Sequence, residues 1–260
     1  MNHSPLLSII IPTYKEAGNI KNLVEEILEY CNRDSLEILV VDDNSQDGID
    51  EQIRLLYEQG INITLLQRLE NRGLATAVKF GMNRANGKYL VCMDADLSHP
   101  PAVIPKMIQV LEDQRDVEVV VGSRYVDEGG FAGQWNQYRQ WNSKISTMLA
   151  NLVIHDLGVK DPMSGYFCIR QEVYLRAAYI KPIGYKILLE LLVKCGCSRV
   201  VELPITFRER AKGESKLNLR EQINYLNHLS RLFDFSHPQW SAALKYLIVN
   251  VLGVSLMLLL

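Results

Sequence analysis

The chain has 260 residues and a mass of 29.7 kDa, with 28 basic and 30 acidic side chains and a formal net charge of −2. A hydrophobic fraction of 48% and a charged fraction of 22% are typical of globular proteins and exclude a largely disordered chain. The near-neutral charge excludes the basic footprint of a general nucleic-acid binder, and the five cysteines lack zinc-site spacing and are interpreted as reduced, cytosolic thiols.

Apolar segments with strand and helix patterns alternate along the first half of the chain. The predicted strands cover residues 7–11, 36–41, 61–66, 88–93 and 117–121. The predicted helices cover residues 19–30, 49–59, 73–85 and 103–111. Continuous apolar strands separated by helices indicate a parallel sheet that is covered on both faces. The sequence therefore predicts an α/β fold that binds its ligands beyond the carboxyl ends of the strands.

Polar residues follow the first, second and fourth predicted strands, at the edge where such a sheet binds ligands. These residues are the segment 13–16, the pair Asp42 and Asp43, and the triplet Asp94-Ala95-Asp96. No G-x-G-x-x-G sequence follows the first strand, which argues against a dinucleotide-dependent dehydrogenase. The chain also lacks a Walker A sequence, so the polar residues must bind a ligand in another way.

The triplet that ends in Asp96 is the most informative of these segments. Two carboxylates two residues apart can reach one pocket if the backbone turns after the strand, and their repulsion then requires a positive charge. Mg²⁺ or Mn²⁺ provides that charge, and a substrate diphosphate can complete the shell of the ion. The alternative is that an aspartate caps a helix ahead of Pro100. The aspartate pair after the second strand favours the metal and nucleotide interpretation.

The C-terminal part of the chain has two patterns typical of membrane association. Residues 219–235 form an amphipathic helix with Leu226, Leu229 and Phe233 on one face, which indicates either an interfacial helix or a helix packed on the sheet. Residues 242–260 contain 15 hydrophobic side chains among 19, and a helix of that length spans about 28 Å. We interpret them as a membrane segment, with a buried core helix as the alternative.

Charge and hydropathy together predict three zones. Residues 208–245 carry seven basic against four acidic side chains, which is typical of the cytoplasmic flank of a membrane segment. We therefore expect a catalytic domain over residues 1–218 facing the cytoplasm, a juxtamembrane helix over residues 219–239 and a transmembrane segment over residues 240–260 that begins a longer membrane domain.

Six segments in chain order carry a resemblance to a known family: residues 10–16, 41–45, 94–101, 122–125, 161–167 and 210–217. The first three resemble the inverting family-2 glycosyltransferases of GT-A fold, which have a Rossmann-like, mostly parallel sheet covered by helices. The last three resemble the branch of dolichol-phosphate mannose synthases and related polyprenyl-phosphate glycosyltransferases. The resemblance covers residues 6–220 and implies that the chain shares this fold and this class of reaction.

The resemblance also implies roles for individual residues. It implies a nucleotide-sugar site formed by Pro12, Tyr14, Glu16, Val41, Asp43, Asp94, Ala95, Arg124, Lys186, Arg210 and Lys216. It implies Mg²⁺ or Mn²⁺ on Asp94 and Asp96, with Ser98, where some members have a glutamine ligand, able to act only through a water. It implies an acceptor phosphate bound by Arg139 and Ser143. Asp96, Arg124 and Arg210 are the candidate catalytic residues.

The implied reaction needs no catalytic base. A phosphate monoester is largely dianionic at pH 7, because its second pKa is about 6, and it can attack the sugar directly with inversion. We therefore expect transfer of mannose from GDP-mannose to a polyprenyl or dolichyl phosphate at the membrane. The nearest alternative is transfer of glucose from UDP-glucose to undecaprenyl phosphate. Two further alternatives are a hydroxyl acceptor, with Glu190 or Asp161 as the base, and a nucleotide-binding subunit without activity.

Overall fold

The structure is a computed structural model that describes residues 4–132, 146–151, 158–177, 179–184, 186–208 and 219–239. Four predicted site residues lie outside the described residues, namely Arg139, Ser143, Arg210 and Lys216. The predicted transmembrane segment 240–260 lies outside them as well. In the part of the chain that is described, no helix has the length and apolar character needed to cross a bilayer.

Strands and helices alternate through the described residues. The strands are β1 (Leu7–Thr13), β2 (Leu36–Asp42), β3 (Ile63–Gln67), β4 (Tyr89–Cys92), β5 (Val119–Ser123), β6 (Gly130–Phe131), β7 (Phe167–Arg170), β8 (Val200–Pro204) and β9 (Thr206–Phe207). The helices are α1 (Ala17–Tyr30), α2 (Ile49–Glu58), α3 (Leu74–Met82), α4 (Ile104–Asp113), α5 (Gln171–Tyr174), α6 (Ile187–Lys194) and α7 (Leu219–Ser236). Residues 146–151 are also helical.

Seven of the described strands form one sheet in the order β3-β2-β1-β4-β7-β5-β8. All neighbours are parallel except β7, which is antiparallel to both β4 and β5. The carboxyl ends of β1, β2, β4, β5 and β8 therefore lie at one edge, and the segment that precedes β7 enters the sheet from that same edge. A second sheet pairs β6 with β9. This architecture confirms the predicted α/β class and its mostly parallel sheet.

The sheet is covered by helices on both faces because its strands are apolar on both sides. In β1, Ile9 and Ile11 pack with α1, α2 and α4, whereas Ile10 packs with α3 and α6 on the opposite face. Helix α3 lies so close to β1 that a Cβ atom on Gly81 would be 2.7 Å from Ile10 Cγ2. A side chain at Gly81 would therefore push α3 away from the sheet.

Several elements differ from the prediction. Strand β1 extends two residues beyond its predicted end, through Pro12, and β5 begins at Val119 rather than at residue 117. Strands β7 and β8 and helix α6 were not predicted. β7 and β8 are as short as β4 and β5, which were predicted. The difference is that β4 and β5 lie in continuous apolar runs, whereas β7 ends in Arg170 and β8 contains Glu202 and Pro204. Because β7 lies between β4 and β5, the central part of the sheet is antiparallel.

Helix α7 spans the predicted amphipathic segment and packs along one face against the rest of the described fold. Tyr225, Leu229 and Leu232 belong to the buried core on the α3 and α6 side of the sheet. Leu226, predicted for the apolar face, is instead 55% exposed, and Phe235 is 47% exposed. The helix therefore has one face in the protein core, as the packed alternative expects, and presents apolar side chains on another.

Candidate active site

The loops after β1 and β2 meet at the carboxyl edge of the sheet, where Asp42 holds them together. The buried Asp42 carboxylate accepts hydrogen bonds from the Thr13 hydroxyl at 3.2 Å and from the Ser45 backbone N–H at 2.9 Å. The Ser45 hydroxyl also donates to Asp42 and accepts the Lys15 backbone N–H at 2.8 Å. Asp42 therefore fixes the loops that carry the predicted nucleotide-binding residues, and the chain itself satisfies its carboxylate.

Asp43, predicted to contact the nucleotide, forms a buried ion pair with Arg68. Arg68 Nε donates to Asp43 Oδ1 at 2.8 Å, Nη2 donates to the same oxygen, and the Gly73 backbone N–H donates to Oδ2 at 2.6 Å. Arg68 Nη1 also donates to the Thr76 hydroxyl at 3.0 Å. Sequence analysis missed Arg68. A buried carboxylate needs a positively charged partner, so the sequence could have indicated that Asp43 has one. The sequence does not indicate which arginine or lysine that partner is.

The other residues predicted for the nucleotide at this end of the site line the same edge. Pro12 and Val41 are buried within β1 and β2, whereas Tyr14 is 43% exposed. The Glu16 carboxylate accepts a hydrogen bond from Asn19 Nδ2 at 2.6 Å, so Glu16 is engaged with the first turn of α1. The ring of Tyr14 is therefore the part of this group that presents the most surface to a ligand.

Four residues at this edge adopt the left-handed backbone conformation without being glycine. Their φ angles are 63° at Lys15, 57° at Asn44, 52° at Gln46 and 64° at Leu97. This conformation is costly for a leucine or a lysine and persists only where the surrounding structure enforces it. Such residues cluster at ligand sites. The loops after β1, β2 and β4 are thus held in specific shapes at the edge where the site was predicted.

The carboxylates of Asp94 and Asp96, which follow β4, have different surroundings. Asp96 is buried, and its Oδ1 accepts the Ser98 backbone N–H at 3.1 Å and the Ser98 hydroxyl at 2.5 Å. The Asp94 side chain is 25% exposed, and within the described residues no hydrogen-bond donor reaches its carboxylate. Ser98 is fully buried and directs its hydroxyl to Asp96, which favours a supporting role over metal coordination. Ala95 is buried between the two aspartates.

One side of the Asp94 carboxylate is lined by a glycine. A Cβ atom on Gly165 would lie 3.4 Å from Asp94 Oδ1 and 3.5 Å from Oδ2, so the glycine keeps this side of the carboxylate open. In the described parts of the chain, no group of three or more His, Cys, Asp or Glu side chains is arranged to hold a metal ion. Asp94 and Asp96 therefore fit a hard cation that completes its shell with oxygens of a ligand, as Mg²⁺ does on diphosphates.

His99 lies against Asp94, although sequence analysis assigned it no role. Its Nδ1 accepts the Asp94 backbone N–H at 3.0 Å, and its Nε2 lies 3.9 Å from Asp94 Oδ2. The ring is 2% exposed and stacks on Tyr166, with 5.0 Å between centroids and 12° between planes. Burial lowers the pKa of His99, against the opposing effect of the nearby aspartates, so the imidazole is neutral at pH 7.

Arg124, predicted to lie near the sugar donor, is held by Asp161. Arg124 Nε and Nη2 each donate to one Asp161 oxygen at 2.8 Å, and the Arg124 backbone N–H donates to Oδ2 at 3.2 Å. Asp161 is fully buried, and the Glu202 carboxylate of β8 accepts the backbone N–H groups of Lys160 and Asp161 at 2.8 and 2.9 Å. The Asp161 carboxylate therefore holds the Arg124 guanidinium directly, and the Glu202 carboxylate holds the backbone of Asp161.

Aromatic rings surround the same guanidinium. The Arg124 Cζ atom lies 5.4 Å from the ring centroid of Tyr125, 5.7 Å from that of Phe131 and 5.6 Å from that of Phe207. Such contacts stabilise a cation and restrict its rotamers. The arginine is thus presented in one orientation at the end of β5.

Lys186 lies within electrostatic range of Arg124 and precedes α6. Burial and repulsion from Arg124 lower the pKa of Lys186 to about 7, although the charge of Asp161 acts in the opposite direction. A lysine with this pKa gains a full positive charge when an anion binds next to it. The structure therefore brings two of the predicted phosphate-binding groups together.

Arg208 fixes the point at which the chain leaves β9. Its backbone N–H donates to the Ser98 carbonyl at 3.0 Å, and its Nη1 forms an ion pair with Glu26 of α1 at 2.8 Å. The predicted phosphate-binding residues Arg210 and Lys216 follow Arg208 and lie outside the described residues. Arg208, the last described residue before that segment, therefore lies beside the loop that carries the two candidate metal ligands.

The two carboxylates considered as general bases are both engaged within the protein. Asp161 has no exposed surface and forms the bidentate pair with Arg124. Glu190 pairs with His228 Nε2 at 2.6 Å and accepts the Lys181 backbone N–H at 2.8 Å, and its side chain is 3% exposed. These contacts argue against either residue as the base for a hydroxyl acceptor. The Glu190 and His228 pair, which sequence analysis did not foresee, joins α6 to α7.

Comparison with known families identifies the chain as a glycosyltransferase. Residues 8–175 match the model of the family described as Glycosyl transferase family 2, and the chain belongs to this family. The chain is 39% identical over 249 residues to a dolichol-phosphate mannosyltransferase of Pyrococcus furiosus, a match that covers 95% of this chain and 69% of the relative. It is 40% identical over 240 residues to the dolichol-phosphate mannosyltransferase of Saccharomyces cerevisiae, covering 88% and 87%.

Solved structures with a similar fold confirm the predicted GT-A architecture. A glucosyl-3-phosphoglycerate synthase from Mycobacterium tuberculosis, solved with Mn²⁺ and UDP, matches with a TM-score of 0.65 at 17% identity, covering 89% of this chain and 80% of that chain. A mannosyltransferase from Pyrobaculum calidifontis, solved with GDP-Man and Mn²⁺, matches with a TM-score of 0.59 at 19% identity, covering 99% and 81%. At these identities the likeness concerns the fold alone.

Proposed function

We propose that this glycosyltransferase transfers mannose from GDP-mannose to a polyprenyl or dolichyl phosphate, with inversion at the anomeric carbon. The observation that carries the proposal is the identity of 35–40% to three relatives, each named dolichol-phosphate mannosyltransferase, over 88–95% of this chain. The alternative donor, UDP-glucose, has no comparable support among these relatives. Mannose is therefore the proposed sugar, and guanine is the proposed base of its nucleotide.

The proposed cofactor is Mg²⁺ or Mn²⁺, held by Asp94 and Asp96. When bound, such an ion stabilises the negative charge of the nucleoside diphosphate leaving group. The chain contributes two carboxylates, one held in place by Ser98 and the other beside the space that Gly165 keeps open. Ala95 lies between them, next to the proposed diphosphate. At the other end of the site, Pro12, Tyr14, Glu16, Val41 and Asp43 surround the proposed position of the base and ribose.

The engaged carboxylates favour a phosphate acceptor over a hydroxyl acceptor. A sugar hydroxyl needs a base to remove its proton, whereas a phosphate dianion is already a nucleophile. Asp161 and Glu190, the two bases considered, already have buried partners. The protein must then place two anionic reactants together and offset their repulsion. Arg124, Lys186, Arg210 and Lys216 are proposed to do so at the donor, and Arg139 and Ser143 at the acceptor.

The proposal places the catalytic domain at the cytoplasmic face of a membrane. A polyprenyl acceptor is retained in the bilayer, so the enzyme must reach the membrane surface. The apolar sequence over residues 240–260 is proposed to anchor the chain, and the exposed Leu226 and Phe235 of α7 are proposed to face the lipid. The basic residues between 208 and 245 would then lie next to the anionic inner leaflet.

The test is a transfer assay on the purified chain in detergent with Mn²⁺ and polyprenyl phosphate. Radiolabelled GDP-mannose, UDP-glucose and other GDP- and UDP-sugars are offered separately, and lipid-linked product is measured. Product from GDP-mannose alone supports the proposal, whereas product from UDP-glucose alone supports the glucose alternative. Asp94→Asn is expected to abolish transfer, and Asp116→Asn, at an exposed position, is the matched control. Absence of lipid-linked product from every donor would refute the proposal.

A further inference from the structure

His99 is a buried imidazole that touches a candidate metal ligand without being placed to bind a metal itself. Its Nδ1 accepts the Asp94 backbone N–H at 3.0 Å, and this nitrogen must therefore carry a lone pair. In a neutral ring the proton is then on Nε2, which lies 3.9 Å from Asp94 Oδ2. One imidazole thus contacts both the backbone and the carboxylate end of the same aspartate.

The ring that makes these contacts is fixed by its aromatic neighbours. It stacks on Tyr166 and lies edge-on to Phe207, whose ring centroid is 5.4 Å away at an angle of 73°. The Tyr166 hydroxyl donates to the Pro100 carbonyl at 2.8 Å, which ties the stacked ring to the loop of His99. His99 therefore cannot rotate without displacing two buried aromatic side chains.

This arrangement matters because the Asp94 carboxylate has no donor of its own in the described parts of the chain. Asp96 is oriented by Ser98. Among the described residues, the imidazole of His99 lies against the carboxylate of Asp94, and Arg124 acts on that carboxylate only through its charge. On the open side, Gly165 leaves the carboxylate free to turn. The orientation of Asp94 therefore depends on the contact between its backbone and His99.

We propose that His99 is a positioning residue that holds Asp94 in the orientation needed to bind a divalent cation. The inference rests on the proposed metal dependence of this site and adds a residue that acts on the cation only through Asp94. A positioning partner of a metal ligand typically changes metal affinity by about 10–100-fold when it is removed. His99 is thus expected to influence the affinity for Mn²⁺ without being a ligand.

The experiment compares three substitutions of His99 by titrating the full chain with Mn²⁺ in the presence of GDP, with free Mn²⁺ followed by electron paramagnetic resonance. In His99→Asn, the amide oxygen occupies the position of Nδ1 and still accepts the Asp94 N–H. In His99→Phe, the ring still stacks on Tyr166 but the acceptor is lost. In His99→Gln, the amide reaches the position of Nε2 and the Nδ1 acceptor is again lost. Thermal unfolding of each variant reports whether it is folded.

We expect His99→Asn to retain the affinity of the unmodified chain within about three-fold, and His99→Phe and His99→Gln to weaken it by about ten-fold or more. If His99→Phe does not fold, His99→Gln provides the same test. Wild-type affinity in a folded His99→Phe or His99→Gln would overturn the proposal, and so would equal loss in His99→Asn. If the unmodified chain binds no Mn²⁺, the metal part of the proposed function fails and, with it, the role of His99.

Discussion

Lys186 gives the sharpest quantitative prediction, because its lowered pKa makes donor binding take up a proton. Burial and the repulsion from Arg124 lower the pKa of Lys186 to about 7 in the protein without ligand. A diphosphate next to the ammonium favours its charged form and raises the pKa again. Well below pH 7 the lysine is already charged before the anion binds. Above pH 7 most of the lysine side chains are neutral until the anion binds. GDP binding should therefore be coupled to protonation on the alkaline side.

The magnitude follows from the pKa of about 7. About half of the Lys186 side chains are protonated at pH 7 and about one tenth at pH 8. If binding restores the pKa towards the ordinary lysine value of about 10.4, GDP binding takes up about half a proton at pH 7 and about 0.9 proton at pH 8. At pH 6 the uptake falls to about 0.1 proton. The uptake thus rises with pH over the range where an unperturbed lysine shows none.

The assay is isothermal titration calorimetry of the chain with GDP and Mg²⁺ at pH 6, 7 and 8. Each pH is measured in two buffers of different ionisation enthalpy, so that the difference in heat gives the number of protons taken up. Lys186→Arg is the matched control, because its guanidinium is charged at every pH and should remove the uptake while keeping the affinity. Equal heats in both buffers at pH 8 for the unmodified chain would show that the reasoning about Lys186 is wrong.

Two further predictions concern the buried carboxylates that have a fixed partner. Asp161→Asn leaves the Arg124 guanidinium without its bidentate partner and should lower the free energy of unfolding by about 3 kcal/mol or more in urea denaturation; Asp116→Asn, in an exposed pair, should cost less than about 1 kcal/mol, and equal losses would contradict the argument. Burial alone would raise the pKa of Glu190, but the hydrogen bonds of His228 and a backbone N–H hold it below its ordinary value. The stability this provides is present above the ordinary glutamate pKa and is lost as pH falls through the lowered one. His228→Leu should therefore cost about 3 kcal/mol at pH 7 and progressively less towards pH 4, and a loss independent of pH would exclude this explanation.

The sequence predicts the sheet where its strands are continuous apolar runs. Strands β1, β2 and β4 are buried along their whole length, and each was placed to within about two residues. The four-residue β7 is as short and as buried as β4, but it ends in Arg170 and was not recognised. It lies between β4 and β5 in the sheet and runs antiparallel to both. The strand pairing shows that the segment before β7, which contains Asp161, approaches the sheet at the carboxyl ends of β4 and β5. This position is not apparent from the sequence. The local sequence pattern thus predicts individual strands. Which strands and side chains lie next to them depends on pairing between residues that are far apart in the sequence.

Some residues of the candidate site can be predicted from the sequence, and others are found only in the structure. Asp94 and Asp96 can be predicted from the sequence as site residues. Two carboxylates directly after an apolar strand repel each other, and this repulsion raises the free energy of the fold unless a positive charge offsets it. Arg68 is not visible, because it lies 25 residues after Asp43 and only the sheet brings the two together. His99 stands beside the aspartate motif, yet nothing in the spacing distinguishes a ring that supports Asp94 from an ordinary core histidine. The sequence thus identifies charged side chains that need a partner, and the three-dimensional structure shows which residue that partner is.

That difference sharpens the argument for a cation. The aspartate pair after β2 favoured a metal at first, but Asp42 is satisfied by Thr13 and Ser45, and Asp43 is neutralised by Arg68. Neither carboxylate therefore requires an ion. The Asp94 carboxylate differs, because in the described part of the chain no hydrogen-bond donor reaches it. The charge of Arg124 acts on Asp94 from a distance, but the Arg124 guanidinium is itself paired with Asp161. A carboxylate without a hydrogen-bonded partner favours a ligand that supplies positive charge. We therefore expect the cation at Asp94 because, among the described residues, its carboxylate lacks a hydrogen-bonded partner, and not because the residue stands in an acidic pair.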